Sequence, residues 1–352
     1  MNRWRQQFIL ASALGMAGIA GLIGTAPAHA QLDKVFGPKG VPVSGTIIEV
    51  APDKVVVDVG GSNREFPVNE IVRVVYGDEP SELGRARENV MAGQNEDAIE
   101  ALKGIAMDSV VRDLVKAEIE FYRAYAAAKI AMAGGGNPQV ADDALFAFVR
   151  TNRTSFHVYD ATELLGNLAL SQGKFEDAAK RFGFLGKAPW ADYRMRANVS
   201  EARALTLQKK YPEALVKYEA IIAMGENTPE ANRQKQFAQV GKAFCQAETG
   251  QADEGVKALE DLIKNNDPKD TALFARVYTA LGNCHLKANR TKEALMAFLH
   301  VDLLFNADGE SHAEALFHLS KLWAAVNKSD RAVAARNLLK ERYSGSTWAK
   351  GA

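Results

Sequence analysis

Histidine and cysteine are scarce in this sequence, with six His and two Cys among 352 residues. No His-Glu-x-x-His occurs, and His312 and His318 stand six apart, off one helical face, so the ligand spacing of a zinc site is missing. The Gly134-Gly135-Gly136 run is not followed by Gly-Lys-Ser/Thr, which removes a phosphate loop and leaves an inter-helix turn. Ser344-Gly345-Ser346 lacks the strand-turn-helix setting of a nucleophile elbow. Acid pairs such as Asp142-Asp143 fall at helix starts, where capping and the helix dipole account for them. No catalytic constellation remains, and no cofactor is expected.

Net charge is lacking too. Lys and Arg total 43 and Asp and Glu total 43, so the chain shows no electrostatic footprint for nucleic acid or an anionic membrane surface. Long apolar runs are absent beyond the N-terminus. There, "MNRWRQQ" is a short basic region, "FILASALGMAGIAGLIG" an apolar run, and "TAPAHA" ends in Ala28-His29-Ala30. This has the form of a secretory signal over residues 1–30, cleaved between Ala30 and Gln31. Seventeen apolar residues, several of them Gly, make a poor membrane span where ~20 are needed. No Cys follows the cleavage point, and Trp4 separates Arg3 from Arg5, which disfavours lipoprotein and twin-arginine signals. The expectation is export across an inner membrane, to a periplasm, with no stable membrane insertion after cleavage.

Residues 31–42 carry turn formers and little periodicity, and read as a leader segment. In 43–77 the pattern changes to short β-branched runs, "SGTIIEV", "KVVVDV", "REFPV" and "IVRVVY", divided by turn residues. Val55, Val57 and Val59 fall on one face at period two. Four strands in so short a stretch suggest a small SH3-like β module that packs on the helices behind it, since little core can be buried below ~40 residues. It would serve as a cap or as a second contact surface.

Proline becomes rare after residue 80, and helix formers dominate. "GKFEDAAKRF" at 173–182 returns in altered form as "KKYPEALVKY", "GQADEGVKAL", "NRTKEALMAF" and "NKSDRAVAAR". Anchored on Ala98, Ala144, Ala178, Ala214, Gly255, Ala294 and Ala332, the spacings are 46, 34, 36, 41, 39 and 38 residues. In "ATELLGNLALSQGKFEDAAKRFGFL", Leu165-Gly166, Gly173, Phe175, Ala178 and Phe182 form a scheme that Tyr278, Leu281-Gly282, Ala294 and Phe298 repeat. Ala202, Leu205, Tyr211, Ala214 and Tyr218 repeat it again. On these residues the chain resembles tetratricopeptide repeat proteins over 81–344, six to seven units, with 345–352 as a frayed tail. The fold class implied is mainly α: a superhelical α-α solenoid of such hairpins behind the β module. A small residue in each helix lets backbones approach while a large one fills the groove, and one hairpin cannot bury its apolar face alone.

Cys245 and Cys284 lie 39 apart at equivalent repeat positions. Equivalent residues of successive units should stand about one helix-packing distance apart, ~8–10 Å, against the ~4.4–6.8 Å a disulfide needs between Cα atoms. Two buried thiols are expected, with pairing after local movement as the alternative. The resemblance also implies a concave groove lined by first helices. That places Asn167, Arg196, Arg203, Phe237, Phe244, Arg276, Asn283 and Lys321 on the inner surface, where amides and guanidinium forks bond a peptide. The expected function is a non-catalytic exported scaffold or adaptor with a protein or peptide partner. The alternative is a cell-envelope assembly subunit that self-associates, as a homo-oligomer, or contacts cell-wall polymer.

Overall fold

The computed structural model describes residues 32–38 and 40–351. The expected signal segment and its cleavage point lie outside them. Five strands come first: β1 (Asp33–Phe36), β2 (Pro42–Val50), β3 (Lys54–Val59), β4 (Ser62–Pro67) and β5 (Arg73–Val75). They form one antiparallel sheet in the order β4-β3-β2-β1-β5, with a 3-10 turn at Val68–Glu70 between β4 and β5, an SH3-like arrangement. A register shift between Ile47 and Glu49 bends β2, so that one end pairs with β1 and the other with β3.

The stretch expected as a leader therefore carries a strand, and an inner one. Asp33, 3% exposed, explains why it is held. Its carboxylate accepts the Ile47 and Gly77 amides, each at 2.9 Å, and two Arg112 nitrogens at 2.7 and 3.0 Å. Four residues, Asp-Lys-Val-Phe, are too short to show a period, and what holds them is a partner 79 residues downstream. Of the three valines expected on one face, Val55 and Val57 are fully buried, while Val59 at the hairpin end is exposed. The sheet shares one core with the first helices, Val35, Val57 and Val74 packing with Leu83, Leu102 and Ile119.

Seven helical hairpins follow, the upper expected count: α1 (Ser81–Met91) with α2 (Asn95–Lys103), α3 (Asp113–Met132) with α4 (Pro138–Thr151), and α5 (Val158–Ser171) with α6 (Phe175–Leu185). Next come α7 (Ala191–Leu207) with α8 (Tyr211–Ile222), α9 (Pro229–Glu248) with α10 (Ala252–Asn265), α11 (Thr271–Lys287) with α12 (Thr291–Leu304), and α13 (Gly309–Ala325) with α14 (Ser329–Arg342). Among the described residues, no helix is long and apolar enough to cross a membrane.

Each hairpin turns through a residue of positive φ: Gly93, Gly134, Gly173, Lys209, Gly250, Asn289 or Asn327. The fourth residue of each second helix is small and buried, as Ala98, Ala178, Ala214, Gly255, Ala294 and Ala332 were expected to be. The second unit is a correction. There the fourth residue is Ala141, 1% exposed, whereas Ala144 faces solvent. The 20-residue α3 and the triple-glycine turn displace that unit's anchor by three positions from the one the spacing suggests.

The expected steric logic holds in detail. A Cβ on Gly166 would lie 2.4 Å from the Phe182 ring, and one on Gly282 would lie 2.6 Å from Phe298. Both rings are fully buried. Cys245 and Cys284 are free, buried thiols. The tail expected to fray instead forms α15 (Thr347–Lys350), started by Ser346 Oγ accepting the Ala349 amide at 3.0 Å. Ala349 is buried and Trp348 packs on Phe317, with ring centroids 5.1 Å apart.

The array comes round on itself. Helix α13 of the last unit packs on α3 of the second. The Gly345 amide donates to the Gly134 carbonyl at 2.6 Å. A Cβ on Gly93 would lie 2.5 Å from the Ala307 carbonyl oxygen, and one on Gly309 would lie 3.0 Å from Ala133 Cβ.

Candidate functional site: a central cavity

Because the ends of the array meet, its inner face surrounds a half-open space. The first helices α1, α3, α5, α7, α9 and α11, with the Val68–Arg73 stretch of the sheet, line a cavity of about 560 Å³. The sheet is thus part of the wall. Asn69 Nδ2 donates to Asp192 Oδ1 of α7 at 3.3 Å, tying the 3-10 turn to the fourth unit.

At the α1 end the wall is set by a buried charge cluster. Arg87 makes paired bonds to Glu79 at 2.9 and 3.0 Å and reaches Glu118 at 3.4 Å. Glu118 also bonds His157 Nε2 at 3.0 Å, and His157 stacks on Phe121 with ring centroids 3.7 Å apart. Burial pushes the Glu118 carboxyl up, but His157 and Arg87 outweigh it and hold it below the usual carboxylate range. Removing either basic partner would strand a buried charge, so the cluster fixes how α1, α3 and the start of α5 sit together.

Five of the eight anticipated residues line the cavity: Asn167, Arg196, Arg203, Phe237 and Arg276. Arg196 is committed to neighbours, pairing with Asp160 at 2.8 Å and with Glu163 and lying 4.3 Å from the Tyr193 ring centroid. Arg203 donates to Asn167 Oδ1 at 3.4 Å and pairs with Glu310 of α13, so it spans the interior. Phe237 is clamped between two guanidinium groups, Arg233 and Arg276, each 4.9 Å from its ring centroid. Arg233 is held by Asp270 at 2.6 and 2.9 Å.

The other three stand elsewhere. Phe244 packs in the apolar core between the fourth and fifth units, near Tyr211. Asn283 Nδ2 bonds Glu314 Oε1 at 2.7 Å and the Thr279 carbonyl at 3.1 Å, so it ties α11 to α13. Lys321 is exposed, its Nζ 3.8 Å from the Phe317 ring centroid.

The cavity also holds groups that sequence reasoning does not reach. Arg233 sits one turn into α9, near the register of Arg196 in α7 and Arg276 in α11, so a stricter comparison of first helices would find it. Lys129 and Asp308 have no such signal, because only the closure of the array brings α3 and the start of α13 together. Burial pushes the Asp308 carboxyl up, but Arg276, Lys129 and the Ser311 amide outweigh it and hold it at about 2. Among the described residues neither Arg276 nor Lys129 has a carboxylate within 4.0 Å. Two cations thus share one acid in that part of the wall. Among the described residues, no group of three or more His, Cys, Asp or Glu is placed to hold a metal ion.

No family model matches the chain, and no curated protein matches it. Solved structures do resemble it. A tetratricopeptide repeat protein from Parabacteroides merdae is 16% identical, with 75% of this chain and 96% of that one covered and a TM-score of 0.44. A Rap protein complexed with competence and sporulation factor is 14% identical over 76% of each chain, with a TM-score of 0.49. NprR in complex with its cognate peptide NprX is 13% identical, with 77% of this chain and 81% of that one covered and a TM-score of 0.42.

Proposed function

We propose that this protein is an exported, non-catalytic scaffold that takes an extended, acidic segment of a partner protein into its central cavity. The observation that carries this is the Arg233–Phe237–Arg276 stack, near Lys129 and Asp308, in a half-open cavity of about 560 Å³. That volume lies within the ~300–1,000 Å³ of ordinary ligand sites. Arg276 offers a planar fork suited to a carboxylate, and Phe237 an apolar face for the chain beside it. Export is supported by the basic, apolar and Ala-His-Ala regions of residues 1–30.

The test is a synthetic peptide array of acidic, neutral and basic extended sequences, probed with the chain from Gln31 onward. Acidic peptides should be retained, and Arg276→Glu with Lys129→Glu should abolish retention at unchanged helicity. Retention indifferent to peptide charge, or to those substitutions, would remove the reading.

Self-association has a separate observation in its favour. On α12, Met296, Leu303 and Leu304 are exposed by 55%, 69% and 63% although the opposite face is core. Large apolar side chains left exposed close together on one helix mark an interaction surface. Sedimentation that depends on protein concentration, and is lost in Leu303→Glu, would put that reading first.

A further inference from the structure

The wall of the cavity is uniform except at one place. Between neighbouring units it is held by large, fully buried side chains such as Tyr218, Leu259 and Phe298. Where the first two units meet the last, the touching groups are small: Gly93 against Ala307, Gly134 against Gly345 and Ser346, and Ala133 against Gly309. Such groups bring backbones very close yet remove little apolar surface from water, and stabilisation follows that surface. Away from the junction, α13 is tied across the interior to unit four by Arg203 and Glu310, whose side chains are 24% and 38% exposed, so water competes for that tie as well. The junction is therefore the weakest interface in the array, while each unit beside it stays whole.

We propose that the array opens and recloses at this glycine-lined junction, and that the opening admits the occupant of the central cavity. A peptide segment inside a larger partner has no free end to thread, and a parted junction gives it a sideways path into the half-open cavity. An anionic occupant touching Lys129 on the α3 side and Arg276 on the α11 side has more partners when the junction is shut. That difference in affinity shifts the population toward the closed form. The role of the opening rests on the cavity being the binding site; the opening itself does not.

The experiment is a distance measurement between spin labels on Val140→Cys and Arg336→Cys, exposed positions on the outer helices of units two and seven. The native thiols are buried, with burial pushing Cys284 up to about 12, and stay unlabelled. The wild-type background should show a main distance with a longer minor one. Glu310→Ala should enlarge the longer population several-fold. Gly345→Val, whose Cβ would lie 2.3 Å from the Gly134 carbonyl oxygen, should make it dominant at unchanged helicity. One narrow distance unmoved by either substitution in folded protein overturns the proposal. If Gly345→Val does not fold, an unchanged distribution in Glu310→Ala overturns it alone. A longer population that responds as expected, alongside a peptide array without retention, upholds the opening and removes the peptide reading.

Discussion

The Gly166–Phe182 contact allows a prediction whose sign depends on one ring. A methyl on Gly166 would sit 2.4 Å from Phe182 Cε1 and 2.8 Å from both Cδ1 and Cζ. Carbon atoms prefer about 3.5–4.0 Å, so three ring atoms lie inside the repulsive wall. Phe182 is fully buried and has nowhere to swing. Overpacking of this kind costs about 1–3 kcal/mol, and the depth of the overlap argues for the upper end. Against it stands the gain from replacing Gly by Ala within α5, about 1 kcal/mol. Gly166→Ala should therefore lose about 2 kcal/mol. In a Phe182→Ala background Cδ1, Cε1 and Cζ are all gone and the helix gain remains, so the same change should stabilise by about 0.5–1 kcal/mol. Urea denaturation of the four proteins, followed by far-ultraviolet circular dichroism, closes the cycle, with a coupling of about 2–3 kcal/mol. If Gly166→Ala is neutral or stabilising with Phe182 in place, the ring does not need the missing Cβ, and the steric account of the hairpin fails.

Three further outcomes follow from other parts of the molecule. Lys209 turns the fourth hairpin at φ 60°, where a Cβ is unfavourable, and Lys209→Gly should stabilise by about 0.5–1 kcal/mol in thermal melts. Asp33→Asn should cost about 1–2 kcal/mol, because a neutral amide holds the Ile47 and Gly77 N–H groups and Arg112 more weakly, while Arg112 keeps Asp78 at 3.1 Å. Arg112 and the two amides outweigh the burial of Asp33 and lower its pKa. Its contribution is thus present above the unfolded carboxylate pKa and lost as pH falls below it, and the variant should flatten that acid limb. Burial raises the Glu314 carboxyl to about 7, against the Asn283 bond that lowers it. The folded state then holds a proton that the unfolded state has released, so stability should fall as pH rises from about 4.5 to 7. Glu314→Gln should remove up to about 3 kcal/mol of that decline in urea titrations at pH 5 and pH 8.

What the sequence made legible is what is decided within about 40 residues. The repeat, its small fourth residue, the Leu-Gly pairs and the rings that fill them are local and periodic, and outside the second unit, where Ala141 takes the place expected of Ala144, they are where the residues said they would be. Two misses share one cause: β1 is secured by Arg112, and the cavity's Lys129 and Asp308 by the meeting of units two and seven, partners far along the chain. α15 is held nearer by, on Phe317, but four residues are too few to show a period. Asn283 looked like Asn167 because both follow a Leu-Gly pair, and each bonds the next unit, Asn283 to Glu314 and Asn167 to Arg203, yet only Asn167 lines the cavity. Which of two equivalent side chains faces the interior depends on how the superhelix closes, and closure depends on glycines whose only signature is the atom they lack. Gly93, Gly134, Gly309 and Gly345 would each pass as an ordinary turn or helix-end residue. Together they let two distant ends touch backbone to backbone, and that contact turns an open groove into a walled, half-open cavity.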